Sequence, residues 1–166
     1  MINYLAIKTP VILFHRTTFL WKGLWHYSVI TGYNRRSETF SLHAGSDAYR
    51  DMDISEVVGA WIEGGRWSYV MLPPESLPDI VPFPEAIENA LAFLRLGKHE
   101  AAYQLSQSIL KRWPERYEAD VIMAQVLLKR HEVKEALFSL RKASAKKPEN
   151  NALKQKVREL SIANGR

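Results

Sequence analysis

The sequence predicts an α+β chain in two parts, a mostly antiparallel β half followed by an all-helical half. Three observations carry that prediction. Five of the eight prolines (Pro73, Pro74, Pro78, Pro82 and Pro84) crowd into one short stretch. Short runs rich in β-branched and aromatic residues precede it, and a helical period follows it. Proline fixes φ and removes a backbone donor, so PPESLPDIVPFP suits neither a helix interior nor a central strand. The boundary is placed there, dividing the chain into residues 1–80 and 81–166.

In the first half, residues 10–15, 25–33, 38–43 and 66–72 read as strands, with the NRRS at 34–37 as a hairpin connection. A helix fits residues 54–62, because Ile54, Val57, Val58, Trp61 and Ile62 share one face. Gly64-Gly65 ends it. Strand alternation sets His26, Ser28, Ile30 and Gly32 on one face, and Tyr27, Val29, Thr31 and Tyr33 on the other. Trp21, Trp25, Trp61 and Trp67 read as core and rim aromatics.

The second half repeats. The shift in numbering that carries Pro114 to Pro148 also carries Ala90 to Ala124, Phe93 to Leu127, Leu94 to Leu128, Glu100 to Lys134 and Ala102 to Ala136. A period of 34, with small residues where helices cross and proline at the repeat end, is the tetratricopeptide signature. The repeats are expected at 83–116 and 117–150, with a closing helix over 151–164 whose polar outer face keeps the stack soluble. Arg95 and Lys129 are related by the same shift. On the groove side of such helices two aligned cations are candidates for holding a peptide carboxylate or an acidic segment.

Composition bounds the chemistry. Apolar residues make up 46% and charged residues 25%, the balance of a globular protein. No run approaches a membrane span. The first residues lack a basic head and a cleavage site, so they do not read as a secretory signal. If Met1 is the true start, the cytoplasm is expected; an upstream signal-bearing segment would imply the bacterial envelope or periplasm. The net charge of +5 is uneven, with 7 Lys/Arg against 8 Asp/Glu in residues 1–80 and 16 against 10 in residues 81–166. The cations are interspersed with glutamates at helical spacing and no aromatic platform accompanies them, which disfavours nucleic acid and favours a protein or peptide partner. There is no cysteine. That excludes disulfides, thiolate metal sites and a cysteine nucleophile within these residues.

The stretch WHYSVITGY at 25–33, followed by GGRWSYVMLPP at 64–74, resembles the papain-like cysteine peptidases of the bacteriocin-processing, double-glycine-leader type. It looks in particular like bacterial proteins that join such a domain to tetratricopeptide repeats. The resemblance covers residues 1 to about 80, corresponding to the family's C-terminal β half, and the repeats continue it. It implies an incomplete papain-like antiparallel β-domain, with His26 in the position of the general base. The nucleophile helix of that family lies N-terminal to everything present here. The group that orients the base usually follows the next strand, where Ala44 stands, and Asp47 is the nearest carboxylate that could take its place.

A cysteine peptidase needs a thiolate, a histidine to move its proton and a group to hold the imidazole. Here the base is present and the nucleophile is absent. The expected function is therefore a catalytically inactive peptidase-like remnant, with His26 a vestigial base, joined to a helical-repeat interaction module. The alternative is the C-terminal part of an active bacteriocin-processing-type peptidase whose Cys-bearing half lies outside this chain, and a third option is a plain helical-repeat adaptor. No cofactor is expected. His26 and His43 with Asp47 lack the ligand spacing of a metal site. The face carrying His26, Ser28 and Ile30 would be left uncovered without the nucleophile helix, so self-association or partner capture through the N-terminal sheet is expected.

Overall fold

The computed structural model describes residues 1–17, 24–45 and 47–164, without the side chains of Thr17, Asp47 and Ala48. The chain divides into two units, Met1–Leu72 and Pro73–Arg166.

The first unit begins with a short helix α1 (Ile2–Ala6) and then strands β1 (Val11–Thr17), β2 (Leu24–Asn34), β3 (Thr39–Ala44) and β4 (Asp47–Asp53). Helix α2 (Ile54–Glu63) and strand β5 (Ser68–Val70) complete it. The five strands form one antiparallel sheet in the order β4-β3-β2-β1-β5. Asn34 makes the β2–β3 turn itself, its side-chain oxygen accepting from the N–H groups of Arg36 and Ser37. Strand β4 was not expected: DAYRDMD is mostly charged, and an edge strand tolerates such residues because only one side of it pairs. Asp53 caps α2 by accepting from the Ser55 N–H at 2.7 Å. At the other end of α2, a Cβ on Gly64 would come within 2.4 Å of the Phe14 carbonyl oxygen, so only glycine lets the helix end approach β1 this closely.

Val11 and Leu13 of β1, Ile30 of β2, and Phe40 and Leu42 of β3 pack with Leu5 of α1 and Val57 of α2 into one buried core. The expectation that the His26–Ser28–Ile30 face lies open is thus corrected. Ile30 is 0% and Ser28 2% exposed, because α1 lies on β2 and α2 lies across β1, β3 and β4.

The second unit consists of α3 (Phe83–Arg95), α4 (His99–Arg112), α5 (Tyr117–Lys129), α6 (Val133–Lys146) and α7 (Asn151–Asn164). Moved on by one sequence period, both ends of α3 and α4 fall on the ends of α5 and α6, and the start of α5 falls on that of α7. The backbone repeats in detail. Trp113 and Lys147, each followed by proline, leave their helices at φ −128°, ψ 63° and φ −131°, ψ 67°. A residue before proline is pushed out of the α region, so the proline sets where the helix stops. Ala90, Ala124, Ala102 and Ala136 are all fully buried, as close helix crossing requires. At the end of each second helix a cation reaches back to loop carbonyls. The Arg112 guanidinium donates to the carbonyls of Pro78 (2.6 Å), Val81 (3.0 Å) and Asp79, and Lys146 donates to that of Pro114. The proline-rich stretch is held in this way by the helical unit. Among the described residues no helix is long and apolar enough to cross a membrane.

Candidate functional site

Two regions hold the residues singled out by sequence. In the sheet, His26 stands half-buried near the start of β2, on the face that α1 and α2 cover. Its Nε2 accepts the N–H of Gly45 at 3.2 Å, so the imidazole holds the β3–β4 turn and its proton is placed on Nδ1. Ala44 pairs with Asp47 across that turn, and the Asp47 side chain lies outside the described residues. His43 points to the opposite face, where its ring meets Tyr49 at 4.5 Å. The three residues weighed as a metal set are therefore not brought together, and no group of three or more His, Cys, Asp or Glu residues gathers among the described residues.

Sequence reasoning passed over His15. It pairs with His26 across β1 and β2, is 7% exposed, and is hydrogen-bonded through Nε2 to Ser28 Oγ at 2.7 Å. The two imidazoles stand edge to face, 6.3 Å apart. Burial holds His15 below the ordinary histidine range; a backbone hydrogen bond at Arg16 opposes this and the charge of His26 adds to it. A Ser–His pair this deep lacks access to substrate. Trp25 and Trp67 are about half exposed, Trp61 is half-buried with its indole N–H donating to the Trp67 carbonyl, and Trp21 lies outside the described residues.

In the helical unit, Arg95 and Lys129 are exposed in the last turns of α3 and α5. These two helices pack side by side, which brings equivalent positions next to each other. Leu94 and Leu128 precede them, and Ile162 of α7 takes the same position one period further on. Leu128 is 37% and Ile162 63% exposed. At this recurring position the sequence sets an apolar ladder of Leu94, Leu128 and Ile162 beside two cations. Ala163 follows Ile162 where the earlier helices carry Arg95 and Lys129, so the row of cations stops at α7 while the apolar row continues.

A concavity lies between α4, α5 and α6. Tyr103, Met123, Leu127 and Phe138 line about 440 Å³, with Glu132, Lys134 and Glu135 at its rim. The Arg130 guanidinium lies 4.3 Å from the Tyr103 ring centre and is bonded to Glu132 (2.6 Å) and Glu100. The exposed Phe138 is the sequence signal for this site, since it interrupts the polar side of α6.

No curated protein matches the sequence. Among solved structures, the MamA R50E mutant is similar at 19% identity, with 66% of this chain and 77% of that chain covered and a TM-score of 0.47. The family model described as Tetratricopeptide repeat matches residues 93–160, the stretch from the end of α3 into α7. The helical unit is thus a tetratricopeptide-type repeat region.

Proposed function

We propose that the chain is a non-catalytic protein-interaction module, in which the repeat region takes a peptide partner and the five-stranded unit is a closed, peptidase-like remnant. The periodic recurrence of helix boundaries, together with the family match over 93–160, carries the first part. Equivalent exposed positions on α3, α5 and α7 recur along the stack, as an extended ligand requires. The apolar ladder of Leu94, Leu128 and Ile162 with Arg95 and Lys129 suits a segment that alternates large apolar and acidic side chains.

The remnant reading rests on the resemblance of residues 25–33 and 64–74 and on the state of His26. A peptidase base has to offer a free nitrogen to a thiol. Here Nε2 is occupied by the Gly45 amide, and the chain has no cysteine. The test is to incubate the full chain with a double-glycine leader peptide and, separately, with a cysteine-directed alkylating probe. Neither turnover nor labelling is expected. Peptide cleavage that disappears in His26→Ala would establish a catalytic role and overturn the reading.

A further inference from the structure

The outward face of the sheet breaks the usual division of an antiparallel sheet into an apolar inner and a polar outer side. Phe14 of β1 stacks on Trp25 of β2 at 5.3 Å with 17° between the rings, and meets Tyr27 at 4.9 Å. On the other side of β1, Tyr69 pairs with Ile12 and contacts Trp67 at 5.6 Å. The rings of Trp25, Tyr27, Trp67 and Tyr69 are each 50–57% exposed, and Met71 just beyond β5 is 77% exposed. The opposite face of the same strands is already closed by α1 and α2.

We propose that this aromatic face is a homodimer interface, covered by the same face of a second copy of the chain. Area supports that occupant. At half exposure each ring presents on the order of 100 Å², so with Met71 and the intervening Ile12, Phe14 and Val29 the patch approaches the ~800 Å² per partner of a stable interface. Shape supports it too. The surface is a sheet rather than a groove, and two twisted sheets pack face to face with strands within about 30° of each other. Charge does not oppose the pairing: Arg16, opposite Trp25, and His43, opposite Val29, stand at the rim of the rings rather than among them. A two-fold arrangement sets identical patches together, as an isologous interface requires. The proposal is independent of the peptide reading of the repeats.

The experiment is sedimentation velocity on the full chain across a concentration series, with Tyr27→Lys and Tyr69→Lys beside it. Both residues are exposed, and circular dichroism checks that each variant is folded; either one alone suffices. A mass that doubles with concentration in the wild type is expected, with the dimer Kd raised roughly thirtyfold or more by either lysine, the effect of losing a hot-spot side chain. A chain that stays monomeric throughout overturns the proposal. So does a dimer that both folded variants keep unchanged, because its contact then lies elsewhere.

Discussion

Gly97 and His131, one repeat period apart, occupy the same turn between paired helices in the same left-handed conformation, at φ +69° and +64°. Glycine takes that region without steric cost, whereas a residue with a Cβ is strained there by about 1–2 kcal/mol. The space around Gly97 is open, so conformation alone separates the two positions. His131→Gly should stabilise the repeat region by about 1 kcal/mol, and Gly97→Ala should destabilise it by a similar amount. Chemical denaturation followed by helical circular dichroism checks both. Equal stabilities would mean that the two turns are not conformational equivalents.

Asp120 and Lys146 form an ion pair between α5 and α6 with the Asp120 side chain 3% exposed. Repeat one has Ala86 at the position of Asp120, fully buried and without a charge. Lys146→Met alone strands a buried carboxylate and should cost about 3 kcal/mol. Adding Asp120→Ala should recover most of that loss, since the first repeat packs with alanine there. A double-mutant cycle measures the coupling, and additive losses would place the cost in side-chain packing rather than in the unpaired charge.

The helices of the second unit were legible because their punctuation is chemical: Pro114 and Pro148 stop helices, and the four buried alanines mark where helices cross; the unit itself begins at Pro73 rather than at the expected residue 81, because Arg112 ties the carbonyls of Pro78, Asp79 and Val81 to α4. The strands were legible from β-branched and aromatic runs, except β4, whose charges suit an exposed edge and carry no apolar alternation. What covers the sheet was not legible. The alternation of His26, Ser28 and Ile30 identified a face, but α1 is only five residues long and has no periodic signal, so the face read as open. The His15–Ser28 contact and the aromatic outer face both depend on strand register, which pairs His15 with His26 and Phe14 with Tyr27. Run composition does not specify register, because a shift of one residue exchanges the faces.

His15 makes the sheet sensitive to acid. Its folded pKa lies below the ordinary value of about 6.5, so at mildly acidic pH the unfolded chain binds the proton that the folded chain refuses. Stability is therefore full above that value and is lost as pH falls from it toward the depressed folded value. Urea unfolding at pH 7.5 and 5.5, read by tryptophan emission, should show a larger acid loss for the wild type than for His15→Gln. The same loss in both would assign the acid sensitivity to other groups. Four of the five tryptophans lie in the first unit, so the signal reports chiefly on it.

The most direct measurement of the interaction reading is selection of a displayed random-peptide library on the immobilised full chain, counter-selected on the Leu128→Asp/Lys129→Glu variant. Both substituted side chains are exposed, so the variant should fold as the wild type does. The account predicts enrichment of peptides that set acidic residues beside large apolar ones. Their affinity should fall at least roughly tenfold on the variant, as expected when an apolar contact and a charge pairing are lost together. Peptides that bind wild type and variant equally, or no enrichment on the wild type, would contradict a ligand groove along α3, α5 and α7.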